Sequence, residues 1–276
     1  MTGTFADMIA NINHVKTVLG EKRAKKRLGQ NFLIDANIVD KIAREACDQD
    51  LKTIEIGPGL GALTECLLKY SSSVDAYEID PEMYEILTDT LHDDRLNVYL
   101  QDFLDADLSI YQEKVNIAAN LPYYVTTPIL FKIFESDLVY DRITVMIQKE
   151  VAERILAEAN SEEYGALSVE TAYLFDVHRL MDVSRKAFYP EPGVDSIVIV
   201  FVPKRERDRI YEESLFTLVK NCFRMRRKTL RNNLKDLFPE ETIQNAYAAI
   251  GIKENARAQE LELDQFIALH KELYER

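Results

Sequence analysis

The stretch Glu55-Ile56-Gly57-Pro58-Gly59-Leu60-Gly61-Ala62-Leu63-Thr64 decides how this chain is read. It is preceded by KTIEI (52–56), a short apolar run of strand character, and leads into ALTECLLKY, which has helical spacing. Glycines between a strand and a helix let the backbone approach a ligand closely. The helix N-terminus adds exposed N–H groups and positive potential. Gly57, Gly59 and Ala62 satisfy the loose pattern G-x-G-x-x-G/A that cradles nucleotide ligands. Alone, the same stretch is also compatible with a tight turn that binds nothing.

Working outward, strand-length runs alternate with helical patterns. Asp35 reads as the N-cap of the helix ANIVDKIAREAC. SVDAYEI (73–79), LNVYL (96–100), VNIAAN (115–120) and RITVMIQ (142–148) read as further strands, with helices at PEMYEILTDTL, near Thr127 and at KEVAERILAEA. This alternation predicts a parallel sheet covered on both faces. HRLMDV and DSIVIVFV, on either side of AFYPEPGV, add an antiparallel return at a sheet edge and bring the sheet to seven strands. From about residue 206 the pattern is helical throughout: IYEESLFTLVKNCF, MRRKTLRNNLKDLF, EETIQNAYAAI and LELDQFIALHKELYE. The expected organisation is an α/β domain over 1–204 and a small all-α domain over 205–276.

The 276 residues include 34 Lys and Arg against 47 Asp and Glu, a formal charge of −13. That mean argues against a general nucleic-acid binder. The distribution points the other way. Lys22, Arg23, Lys25, Lys26 and Arg27 cluster in one run, and Arg224, Arg226, Arg227, Lys228, Arg231 and Lys235 in another. Two such runs in an acidic chain suit an anionic partner. The three cysteines and four histidines are scattered, so no disulfide framework or metal site is expected. No apolar run approaches the ~20 residues of a membrane span. MTGTFADMIA lacks signal-peptide features, and a cytoplasmic protein is expected.

Two acids sharpen the ligand. Glu78 ends the second strand near the ~20-residue offset at which a carboxylate meets ribose hydroxyls. Such a carboxylate would repel a 2′-phosphate. Asp102 follows the third strand, where it can accept from an adenine amino group while Ile79 or Phe103 packs on the ring. Together they describe an adenosine pocket, for NAD or S-adenosylmethionine. Asn120-Leu121-Pro122-Tyr123, at the end of the fourth strand, separates the two. An aromatic amino group is a poor nucleophile because its lone pair is delocalised. Two acceptors, the Asn120 side-chain oxygen and the Leu121 carbonyl, can orient its N–H groups. Pro122 fixes the turn, and Tyr123 can stack on the ring. This is positioning chemistry rather than strong-base chemistry.

GQNFL (29–33), EIGPGLGALT (55–64), NLPYYVTTPIL (120–130), AFYPEPGVDS (187–196) and FRMRRKTLRNNL (223–234) together resemble the ribosomal RNA adenine N6-dimethyltransferase family. The closest likeness is to its bacterial KsgA branch, which acts on small-subunit rRNA. The resemblance implies a Rossmann-like class I methyltransferase using S-adenosyl-L-methionine. It also implies two methyl groups placed on each of two adjacent adenines near the 3′ end of that RNA. By position it assigns Gln30, Asn31 and Leu33 to a segment over the donor, and Gly57 and Gly59 to the donor loop. Glu78 goes to the ribose, Asp102 to the adenine, and Asn120 to both donor and target. Tyr123 and Phe188 are implied to sandwich a flipped adenine. Lys25, Lys26, Arg27, Arg226, Arg227 and Lys228 are expected to contact rRNA or a precursor of the small subunit. Nothing suggests an obligate dimer, and a monomer is expected. The chain departs from many relatives at Tyr124-Val125-Thr126 and at Gly193. The competing readings are a large-subunit methyltransferase of the resistance type, a non-catalytic assembly factor, and an NAD dehydrogenase.

Overall fold

The computed structural model describes residues 12–19, 30–47, 50–204 and 207–274. Lys25, Lys26 and Arg27 therefore lie outside the described residues. The chain divides into two compact units, Met1–Lys149 with His178–Pro203, and Glu150–Val177 with Lys204–Arg276. The change of unit at Pro203 falls where the composition shifts. Residues 150–177, read with the sheet from sequence, cluster instead with the C-terminal helices.

In the first unit α1 (Ile12–Leu19) precedes β1 (Phe32–Leu33) and α2 (Ala36–Ala46). Then follow β2 (Lys52–Ile56), α3 (Ala62–Tyr70), β3 (Ser73–Glu78), α4 (Pro81–Thr90), β4 (Leu96–Leu100), β5 (Val115–Asn120), α5 (Thr126–Glu135) and β6 (Tyr140–Gln148). The seven-stranded sheet also takes in β7 (Phe175–Val183) and β9 (Ser196–Pro203), in the order β4-β3-β2-β5-β6-β9-β7. The pairs from β4 through to β6 are parallel, and β9 runs antiparallel to β6. The strand order reverses between β2 and β5, the position at which an open α/β sheet offers a crevice at its carboxyl edge. A second, two-stranded sheet pairs β1 with β8 (Phe188–Tyr189).

Local chemistry explains the elements. Asp35 caps α2 by accepting from the N–H groups of Asn37 and Ile38. Asp80 caps α4, with Pro81 at its first position. The central strands are buried on both faces, as in a covered parallel sheet: β5 is buried from Val115 to Ala119. On one face Val39, Ile42 and Ala43 of α2 and Leu67 and Leu68 of α3 pack with Val74, Ala76 and Ala118. Phe134 of α5 meets Phe201 of β9 edge-on, with centroids 5.6 Å apart.

The second unit holds α6 (Lys149–Ile155) from Glu150 onward, α7 (Ala166–Leu174), α8 (Arg209–Cys222), α9 (Leu230–Leu234), α10 (Glu240–Ile250) and α11 (Leu263–Tyr274). Leu215, Leu218, Val219, Ile243, Phe266 and Leu269 are buried in it. The stretch MRRKTLRNNLKDLF, read as one helix, is instead a run of turns from 223 to 227 followed by a short helix. Two side chains explain the break. Asn233 donates its Nδ2 to the Cys222 carbonyl at 2.7 Å, satisfying the end of α8. Thr229 then caps a new start by accepting from the Asn232 N–H. Among the described residues no helix is long and apolar enough to cross a membrane.

Candidate active site

A cavity opens at the carboxyl ends of β2, β3 and β5. Its wall contains Gln30, Asn31, Leu33, Gly57, Gly59, Glu78, Ile79 and the whole of Asn120-Leu121-Pro122-Tyr123. Three of the five segments that carried the resemblance, 29–33, 55–64 and 120–130, thus line one space.

The glycine loop forms the floor. Gly57 extends the ladder by donating to the Tyr77 carbonyl, and Gly61 closes a turn on the Pro58 carbonyl. Gly59 has φ +57°, and a Cβ there would lie 3.3 Å from the Phe32 ring. Gly61 has φ +86°, and a Cβ would meet Leu87 Cδ1 at 2.5 Å. Both positions therefore need glycine, for conformation and for space. The Gly59 N–H donates to Glu78 Oε2 at 3.0 Å, and the Asp80 N–H to Glu78 Oε1 at 2.8 Å. Burial pushes the Glu78 carboxyl up, against the pull of these two N–H groups.

A strap from the N-terminal side covers the loop. Phe32 and Leu33 pair with Tyr189 and Phe188, and Ile34 donates to the Ala187 carbonyl. Gln30 Nε2 donates to Asp80 Oδ2 at 2.7 Å. Asn120 Nδ2 donates to the Asn31 backbone carbonyl at 3.3 Å. That bond turns the amide nitrogen toward the strap, and Asn120 itself borders the cavity. On the next residue, the Leu121 N–H continues the β5–β6 ladder onto the Met146 carbonyl. After the tetrad, the Val125 N–H and the Thr126 hydroxyl both donate to the Pro122 carbonyl, closing the turn. Tyr123 is half-buried, and its hydroxyl lies 2.8 Å from Ser196 Oγ.

Glu55 is 1% exposed and lies in the cavity wall. Its Oε2 has no hydrogen-bond partner, and no salt bridge reaches it among the described residues. Burial raises its carboxyl to about 8; the nearby Thr64 hydroxyl opposes the shift and the Glu78 charge adds to it. A wall with an unpartnered carboxyl oxygen, a second buried acid and a glycine loop close under Phe32 fits a cationic nucleoside donor.

Three expected residues are not brought to this wall. Asp102 uses its carboxylate to cap the short turn Phe103–Asp105, accepting from the Leu104 N–H at 2.9 Å. Phe103 is buried and meets Tyr77 edge-on, with centroids 5.5 Å apart. Phe188 is 3% exposed and packs with Leu33, Val39, Ile42 and Met146. The pairing of β1 with β8 turns Phe188 to that core and Tyr189 to the opposite cluster, with Leu60 and Met83. Of the two ring-packing candidates, Ile79 alone borders the cavity. Conversely, the structure adds Val15, Phe32 and Glu55 to the wall and Asp80 as the strap's anchor. Phe32 and Glu55 sat inside quoted motifs; Val15 and Asp80 had no local signal beyond the Asp-Pro helix start. Arg226, Arg227 and Lys228 are exposed on the turn between α8 and α9, and Arg226 donates to the Glu162 carbonyl.

The model of the ribosomal RNA adenine dimethylase family matches residues 21–275. The chain belongs to that family. It is an S-adenosylmethionine-dependent rRNA adenine dimethyltransferase, and S-adenosylmethionine is its methyl donor. It is 44% identical over 251 residues to the ribosomal RNA small subunit methyltransferase A of Mycoplasmopsis pulmonis, covering 91% of this chain and 99% of that protein. To the protein of the same name from Geobacillus kaustophilus it is 41% identical over 265 residues, covering 90% of each. Among solved structures, the 23S rRNA methyltransferase ErmE superposes with a TM-score of 0.71 at 27% identity, over 88% of this chain and 99% of that one. A dimethyladenosine transferase from Plasmodium falciparum shares the fold, with a TM-score of 0.70 at 24% identity over 85% of this chain and 94% of that one.

Proposed function

We propose that this chain dimethylates N6 of two adjacent adenosines in the 3′-terminal region of small-subunit rRNA, during assembly of that subunit in the cytoplasm. The observation that carries the reading is Asn120, which borders the cavity with its Nδ2 held by the Asn31 carbonyl. Relatives named for the small subunit, 37–44% identical over 89–97% of this chain, favour that RNA over the large-subunit alternative.

When bound, the donor supplies a methyl group activated by a sulfonium. Glu78 would hold its ribose, with the Gly57–Gly59 backbone and the Ile79 side chain around the nucleoside. Asp102 would meet the adenine edge only by extending its reach beyond the turn that it caps. Asn120 Oδ1 and the Leu121 carbonyl would accept from the two N–H groups of the target. Holding both draws the nitrogen toward a tetrahedral shape and concentrates its lone pair toward the methyl group. Pro122 keeps the carbonyl in place, and Tyr123 gives the flipped base a stacking face. The family role of Phe188 would require its ring to leave the packing around Leu33. Arg226, Arg227 and Lys228, with Lys25, Lys26 and Arg27, would contact RNA phosphates, and binding would weaken steeply with salt.

Unmethylated small subunits incubated with labelled donor, followed by mapping of the modified nucleotides, test the reading. Two neighbouring dimethyladenosines near the 3′ end are expected. Incorporation only into large-subunit precursors would transfer the chain to the other branch. Equal binding of wild type and Asn120→Ala to pre-ribosomes, with no methyl transfer by either, would make it an assembly factor.

A further inference from the structure

Tyr123 lies in the turn that links β5 to α5, outside any strand or helix. Its backbone is held by the turn bonds to Pro122, but its ring can still rotate about two side-chain torsions. The ring's far end meets a different kind of support. Ser196 is 0% exposed and is the first residue of β9, in register with Gln148 of β6. Its Oγ lies 2.8 Å from the Tyr123 hydroxyl, and either group can donate.

Ser196 is itself held on several sides. The Lys149 N–H donates to the Asp195 carbonyl at 3.0 Å. The Asp195 carboxylate accepts from the Arg185 backbone N–H at 3.0 Å and from its Nε at 3.2 Å, and Arg185 Nη1 reaches the Gly193 carbonyl at 2.9 Å. A buried strand residue with a clamped neighbour is a rigid post. A hydrogen bond to it converts a mobile ring on a turn into a fixed wall of the cavity.

We propose that Ser196 is a positioning residue for methyl transfer: by bonding the Tyr123 hydroxyl it fixes the tilt of the ring on which the target adenine lies. The inference rests on the reading of Tyr123 as the stacking face. A ring free to tilt would still accept the base, but would hold its amino nitrogen less closely at Asn120 Oδ1. The second transfer is the more exacting, because the nitrogen already bears one methyl and keeps a single N–H to be oriented. Loss of the post therefore acts most strongly on the second methyl.

Ser196→Ala, Tyr123→Phe, their double variant and Tyr123→Ala, compared on unmethylated small subunits, test this. Donor affinity is measured by calorimetry and folding by thermal melting. Each of the first two is expected to lower kcat for the second transfer about fivefold, the worth of one hydrogen bond. Monomethylated adenosine should accumulate, while donor affinity stays within twofold. The double variant should be no slower than the slower single one, because both remove the same bond. Tyr123→Phe leaves the β9 backbone untouched and keeps the test valid should Ser196→Ala fold poorly. A wild-type product ratio in Tyr123→Phe alongside inactive Tyr123→Ala would leave the stacking face standing and overturn the role of Ser196. Multiplying effects in the double variant would overturn it as well. Full activity in Tyr123→Ala would remove the stacking reading and this inference with it.

Discussion

Two acids, Glu55 on β2 and Asp75 on β3, sit in neighbouring strands of one sheet, each 1% exposed. Asp75 stands opposite Ile54, one residue before Glu55 in the ladder. Their surroundings differ in one respect. Asp75 accepts from Lys52 Nζ at 2.8 Å and from Asn97 Nδ2 at 2.9 Å. Glu55 keeps an oxygen with no partner and faces the cavity. Burial of a carboxylate is costly unless it is paired. Asp75 meets that cost inside the fold, so its partners are structural. Glu55 avoids it in the free protein by holding its proton, burial raising its carboxyl to about 8, so it can gain charge when a cation arrives. Residue type and depth alone do not distinguish a site acid from a structural one; an unpartnered oxygen on the wall of a cavity adds to them.

The largest expected effect lies on the site side of this contrast. Asn120→Ala should lower kcat for methyl transfer by at least about 100-fold, the scale of losing a positioned hydrogen-bonding group, with a wild-type melting temperature. On the structural side, Asp75→Ala should leave the rate per folded molecule unchanged. It should cost about 2–3 kcal/mol by denaturant titration, less than a fully buried pair because Lys52 is partly exposed. An Asp75→Ala variant that lost methyl transfer while keeping its stability would erase the distinction.

Glu55 gives the sharper test. Its folded carboxyl is raised to about 8 from 4.5. A raised acid contributes stability that is fully present below pH 4.5 and is lost as the pH rises through about 8. Glu55→Gln should flatten that decline and melt above the wild type at pH 8–9, while binding the cationic donor about tenfold more weakly. A pH profile shared by variant and wild type would mean that Glu55 is already charged in the free protein. The smallest effect belongs to the exposed turn of the second unit. Arg227→Ser should weaken binding to small subunits by a few-fold and reduce the salt slope by about one.

What could be read from the residues was whatever local pattern writes. The glycine loop, Asn120–Tyr123, the cap Asp35 and the helix-starting Pro81 are spaced by backbone geometry, and the strands KTIEI and VNIAAN match the observed bounds. Asp102 was missed for a local reason, the cap that it gives Leu104, but the other misses depend on partners distant in sequence. Phe188 is an aromatic before a proline turn until its pairing with Leu33 decides which way it points. MRRKTLRNNL is rich in residues of good helix propensity, and only Asn233 reaching back to Cys222 ends the preceding helix. Residues 150–177 look like a continuation of the sheet domain because their grouping rests on tertiary contacts.

The bond from Asn120 to the Asn31 carbonyl ties the end of β5 to the segment that carries β1. Complete modification of one adenosine consumes two donors, so the spent nucleoside must leave and a fresh one enter between transfers. On the role proposed for Asn120, an exchange that displaced residues 30–34 would also release its amide from the Asn31 carbonyl, so that reloading and disarming would be a single event.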